Sequence, residues 1–91
     1  MNESSRVLIY GTRTCGYCTR AEDLLDRRGI AYDSVDVTDD RRARLELIER
    51  ANGRRTVPVI FIDGELVGGY QELAALASSG ELDARLGRAA A

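Results

Sequence analysis

The sequence predicts an α/β fold with the element order β-α-β-α-β-β-α-α, built as a four-stranded mixed sheet flanked by helices. Three observations predict it: the strand-like runs RVLIY and AYDSVDV enclose an amphipathic helical pattern, a second helical pattern follows, and VPVIFIDGELVGG then carries a hairpin signal ahead of two more helical stretches. A strand, a crossover helix and a strand in succession imply a parallel pair, and the hairpin adds antiparallel strands.

Arg6 to Tyr10 is a β-branched and aromatic run that stops at Gly11, which marks the first strand. From Cys15 onward, Cys18, Ala21, Leu24, Leu25 and Arg28 recur at spacings of three and four with charges between them, and Gly29 supplies the stop. Ala31 to Val37 alternates as the second strand. Thr38 or Asp39 is expected to cap a helix with Leu45, Ile48 and Ala51 on one face, ending near Asn52-Gly53. The hairpin turns at Asp63-Gly64, where the Asp-Gly pair suits a tight primed turn. Tyr70 to Ser78 and Glu81 to Leu86 form the last helical patterns, broken at Gly80, and a short RAAA tail follows.

Ninety-one residues make one domain, 1–91, able to bury roughly 60 to 70% of its unfolded surface. Hydrophobic residues at 44% and charged residues at 31% describe an ordinary soluble chain. No apolar run approaches the roughly 20 residues that span a bilayer. The opening MNESSRVLIY lacks the basic and apolar regions of a secretory signal, so a cytoplasmic location with reduced thiols is expected. The net charge is −2 with both signs interspersed, which offers no basic stripe for nucleic acid and no basic amphipathic helix for a membrane.

Both cysteines of the chain lie in C-G-Y-C, at Cys15 and Cys18. A structural zinc needs four ligands, and this chain has two cysteines and no histidine. A disulfide staple across two residues closes too small a loop to remove much unfolded-state entropy, and a reducing compartment opposes it. Redox catalysis is the use left for two thiols at a strand-helix junction. At the first turn of the helix, Cys15 meets unsatisfied N–H groups and the positive end of the helix dipole, a setting in which cysteine pKa values fall from about 8.5 to roughly 3.5 to 7.5. Cys18, one turn further in, keeps its proton longer, so Cys15 attacks and Cys18 resolves the mixed disulfide. Tyr17, between them, is expected to hold its ring beside the sulfur as a wall for substrate. Pro58 is the sole proline and follows Thr56-Val57 at a strand start; Gly68-Gly69 opens a helix whose first N–H groups suit a carboxylate.

These residues resemble the glutaredoxin family over nearly the whole chain, through VLIY, CGYC, RRTVPVIFIDGELVGGYQEL and SSGELDARL, and most of all its small bacterial dithiol members. The resemblance implies a thioredoxin-like fold and an enzyme in which glutathione, a co-substrate and not a tightly held cofactor, drives reduction of protein disulfides and glutathione mixed disulfides. By position, Cys15 becomes glutathionylated and Cys18 resolves. Tyr17 lies against the glutathione sulfur, Val57, ahead of the family's cis proline at Pro58, pairs with its cysteinyl backbone, and Thr56 and Pro58 belong to the same binding set. Gly69, Tyr70, Gln71 and Glu72 correspond to the hold on its γ-glutamyl end. The implied partners are glutathione and disulfide-containing or glutathionylated proteins, met by a monomer.

The chain departs from the family pattern at three places. Gly16 stands where proline is commonest, Gln71 and Glu72 stand where an aspartate pair is frequent, and Thr12 stands where a lysine usually holds the glycyl carboxylate. Arg13 is the expected substitute for that lysine, with Arg44, Arg54 and Arg55 as further sources of a cation. Two other uses of the same motif stay open. One is a redoxin reduced by a flavoprotein or another low-molecular-weight thiol. The other is a dimeric iron-sulfur carrier in which each chain gives Cys15 and one glutathione to a 2Fe-2S cluster.

Overall fold

The computed structural model describes residues 6–87, so the RAAA tail and the first five residues lie outside the described residues. The elements run β1 (Val7–Gly11), α1 (Gly16–Arg27), β2 (Asp33–Asp36), α2 (Arg41–Arg50), β3 (Val59–Ile62), β4 (Glu65–Gly68), α3 (Tyr70–Ser79) and α4 (Glu81–Arg85). This is the predicted order. The sheet runs β2-β1-β3-β4, with β1 and β2 parallel and the other two pairings antiparallel. No helix of the described residues is long and apolar enough to cross a membrane.

Alternation along the central strands explains why both faces of the sheet are covered. Val7, Ile9, Ile60 and Ile62 point to one side, where they pack with Ala21 and Leu25 of α1, Leu73 and Ala77 of α3 and Leu82 of α4. Val59 and Phe61 point to the other side, against Leu47 of α2 and Ala51 just beyond it. A strand buried on both faces needs a continuous apolar run, and VPVIFI supplies one. The β3–β4 turn places Asp63 at φ 52° and Gly64 at φ 81°, the two positive angles of a type I′ turn whose twist matches the strands it joins.

Three expectations are corrected. The second strand is shorter than Ala31–Val37, because it is an edge strand whose ladder with β1 covers only Asp33 to Asp36. Asp40, not Thr38 or Asp39, caps α2, its carboxylate accepting the Ala43 N–H at 3.0 Å. Leu45 does not join the buried face: it is 56% exposed, and Ala43, Leu47, Ile48 and Ala51 turn inward instead. Leu45 sits two residues from Leu47, roughly 200° around the helix, so the two leucines cannot share a face.

Candidate active site

Cys15 is the N-cap of α1, with extended backbone (φ −92°, ψ 110°). Its sulfur does what a serine or aspartate oxygen does at this position: it accepts the Cys18 N–H, at 3.1 Å. The same sulfur lies 3.6 Å from the Val57 carbonyl, to which its thiol donates. The turn entering β3 therefore reaches the helix start, and the Val57-Pro58 bond within that turn is cis. Cys15 is half-buried, whereas Cys18, on the inward face of α1, is only 5% exposed. Burial first, and then the neighbouring Cys15 sulfur, push the Cys18 thiol up to about 12. At neutral pH Cys18 is a protonated, sheltered thiol.

Gly11, at the end of β1, is part of this arrangement and has no counterpart in the sequence reading. A Cβ on Gly11 would stand 2.6 Å from the Cys18 sulfur and 3.2 Å from its Cβ. The missing side chain is the seat of the Cys18 sulfur. A glycine at a strand end reads as a turn, and only the packing of α1 over β1 reveals what it admits.

Beside the thiols is a cleft of about 330 Å³. Tyr17 forms one wall, its ring packed against Tyr70 at 5.8 Å between centroids and the Arg20 guanidinium 5.0 Å above it. Thr56, Val57 and Pro58 form a second wall. Gly69, Tyr70, Gln71 and Glu72, the opening of α3, form the third. Glu72 reaches back to accept the Gly69 N–H at 2.8 Å, which leaves the N–H groups of Tyr70 and Gln71 without an intrahelical acceptor. The Gly69 N–H, the N–H of Glu72 itself and Arg54 hold the Glu72 carboxyl below the ordinary carboxylate range. A Cβ at 69 would meet the Arg54 guanidinium at 2.7 Å, so a side chain there would push Arg54 from its present place.

The structure thus brings together eight of the residues expected at the substrate site and sets Arg13 apart from them. Arg13 pairs with Asp39 at 2.6 Å and with Asp36 at 3.3 Å, and its N–H is bound by Thr38. It lines a separate hollow together with Cys18 and Glu22. The cation in the cleft is Arg54, whose guanidinium lies 3.6 Å from Glu72 and whose Nε is buried with no hydrogen-bond partner. Arg44 turns to the Arg55 carbonyl, and neither of these two lines the cleft.

A sheltered thiol behind a half-exposed one, at a helix start facing the turn that enters β3 of a four-stranded mixed sheet, defines the class: a thiol–disulfide oxidoreductase on the thioredoxin-like fold. A family model described as Glutaredoxin matches residues 7–67, and the chain belongs to the glutaredoxin family. A probable glutaredoxin of Synechocystis is 40% identical over 83 residues, covering 91% of this chain and 94% of that protein. Glutaredoxin 3 of Escherichia coli K12 is 42% identical over 79 residues, covering 87% of this chain and 94% of its own. Among solved structures, the dithiolic glutaredoxin 2-C-Grx1 of Trypanosoma brucei brucei matches with a TM-score of 0.81 at 36% identity, over 90% of this chain and 87% of that one. A buckwheat glutaredoxin–glutathione complex matches with a TM-score of 0.81 at 27% identity, over 90% of this chain and 76% of that one.

Proposed function

We propose that this protein is a cytoplasmic, glutathione-dependent dithiol oxidoreductase that reduces protein disulfides and glutathione mixed disulfides. The observation that carries the reading is the composition of the cleft: a carboxylate, a cation and free helix N–H groups gathered beside Cys15. Glutathione has one ammonium and two carboxylates, and these three groups are their complements. The Glu72 carboxylate meets the ammonium, the Tyr70 and Gln71 N–H groups meet the adjoining carboxylate, and the Arg54 guanidinium, which lines the cleft, meets the second carboxylate. The Val57 backbone pairs with the cysteinyl amide, and Tyr17 covers the sulfur.

In the reaction, the Cys15 thiolate attacks one sulfur of the substrate disulfide, and the other sulfur leaves as a thiolate and takes up a proton. The charge on Cys15 is then gone, so the part of the Cys18 shift that came from its neighbour goes with it. Cys18 loses its proton more readily at the moment it is needed, attacks the Cys15 sulfur and expels the second substrate thiol. One glutathione reopens the resulting Cys15–Cys18 disulfide as a Cys15 mixed disulfide, and a second removes the first as oxidised glutathione, which balances the two electrons.

A glutathione mixed disulfide, glutathione, glutathione reductase and NADPH test this directly. Wild type turns over; Cys15→Ser is inactive; Cys18→Ser keeps activity on the mixed disulfide and loses reduction of protein disulfides. No turnover with glutathione, together with turnover by thioredoxin reductase, assigns the reductant to a flavoprotein instead.

A further inference from the structure

Tyr70 is a wall of two cavities. Behind it, away from the thiols, lies a second hollow of about 420 Å³, lined by Arg20, Asp23, Leu24, Arg27, Arg28 and Tyr70. Three arginines face one aspartate there, in a chain whose net charge is −2. Most other arginines of the described residues are engaged: Arg6 with Asp63, Arg13 with Asp36 and Asp39, Arg42 with Glu46, Arg54 with Glu72 and Arg85 with Glu65. Within the hollow, Arg28 is paired with Asp83 at 3.8 Å. Arg20 and Arg27 are exposed and form no ion pair among the described residues, Arg20 resting instead on the Tyr17 ring. Arg27, in the last turn of α1, also suits the negative end of that helix, but Arg20, in its middle, has no such use.

We propose that this hollow seats an acidic stretch of a polypeptide substrate while its disulfide sulfur meets Cys15. The inference rests on the reading that protein disulfides are substrates. Charge selects the occupant, and distance selects where its acidic residues lie. At about 1.5 Å per residue along α1, Arg20 stands roughly 7 Å and Arg27 roughly 18 Å beyond Cys15. An extended chain rises about 3.3 Å per residue, so the matching carboxylates lie about two to five residues from the attacked cysteine. Leu24 and the Tyr70 ring supply an apolar floor for the stems of the acidic side chains. The chemistry is unchanged: two electrons pass from Cys15 and Cys18 to the substrate S–S bond, which becomes two thiols.

Three synthetic peptides, each with one internal disulfide and differing only in Glu, Gln or Lys at those flanking positions, are mixed with the reduced protein in single turnover, and released peptide thiols are counted. At an ionic strength of about 0.01 M the Glu peptide is expected to react about fivefold to tenfold faster than the Gln peptide, and the Lys peptide more slowly than either. The gap closes near 1 M salt, where the screening length is about 3 Å. The Arg20→Gln/Arg27→Gln double variant loses the gap, Arg20→Lys/Arg27→Lys retains it, and Arg41→Gln/Arg42→Gln, which removes the same two charges from α2 on the opposite face of the sheet, also retains it. Equal rates for the Glu and Gln peptides, a gap that survives the Arg20→Gln/Arg27→Gln variant, or a gap that Arg41→Gln/Arg42→Gln removes would each overturn the proposal. No glutathione is present in this reaction, so failure of glutathione dependence shows only in the coupled assay.

Discussion

Gly16 is the first residue of α1, and its neighbours define what it tolerates. The preceding residue, Cys15, is extended, as a residue before proline must be, and a Cβ at 16 would meet nothing within 4 Å. Proline at the first helical position sacrifices only an N–H that has no intrahelical acceptor. Gly16→Pro is therefore expected to stabilise the reduced protein by about 0.4–1 kcal/mol, chiefly by restricting the unfolded chain, and urea unfolding measures it. A loss of stability would mean that the Gly16 N–H has a partner. Gly11 is the opposite case. Gly11→Ala drives a methyl to 2.6 Å from the Cys18 sulfur, which has to leave its seat. The expected cost is about 1–3 kcal/mol of stability, with a fall in the reduction of protein disulfides that spares the reaction of Cys15 with small mixed disulfides. In a Cys18→Ala background most of that cost disappears, because the atom displaced is absent. Equal costs in the two backgrounds would locate the effect in the strand instead of the sulfur.

At the scale of elements, α2 shows both the reach and the limit of sequence pattern. Its existence, its length and its end near Asn52 follow from spacing, but RRARLELIER holds two leucines and an isoleucine among charges, and more than one apolar stripe can be drawn through it. Only the position of the sheet chooses among them. Leu47→Ala should cost about 2–5 kcal/mol, as expected of a fully buried leucine, and Leu45→Ala less than about 0.5 kcal/mol, since that side chain already meets water. Thermal unfolding of the two variants side by side checks the phase of the helix, and similar losses would refute it. The same distinction governs the candidate site. CGYC, TVP and GGYQE are local signals whose meaning survives in any fold that brings them together, and they were legible. The partner of Arg13 was not, because Asp36 and Asp39 reach it across a parallel strand pair. Nor was the choice of Arg54 over Arg44 and Arg55, because neighbouring arginines in a loop read alike until the backbone sets their directions.

For the molecule as a whole, the interactions that close the fold and tune the site should be readable together in the dependence of stability on pH. On the acid side, three carboxyls are held below their ordinary values: Asp36 by the Thr38 hydroxyl and N–H and then Arg13, Asp63 by the two-pronged Arg6 contact, and Glu72 by the Gly69 N–H foremost. A depressed folded-state value means stability that is present above the unfolded pKa, about 4 for these groups, and lost as pH falls through the lower folded values. Arg6 also donates to the Arg85 and Leu86 carbonyls, so protonating Asp63 loosens the tie between the β3–β4 turn and the end of α4. The alkaline side has the reverse sign. Cys18 is raised to about 12 while an unfolded cysteine ionises near 8.5, so the unfolded chain gives up that proton first. Its contribution is complete below about pH 8.5 and is lost towards pH 12, with a slope that cannot exceed about 1.4 kcal/mol per pH unit for one group. Tyr32, raised chiefly by burial, joins the decline from about pH 10. Urea midpoints of the reduced protein across this range should therefore fall on both sides. Asp63→Asn should flatten the acid limb, and Cys18→Ser the portion between about pH 8.5 and 10 where Tyr32 has yet to contribute. If Cys18→Ser left the alkaline slope intact, Cys18 would not be the sheltered, protonated group on which the proposed division of labour with Cys15 depends.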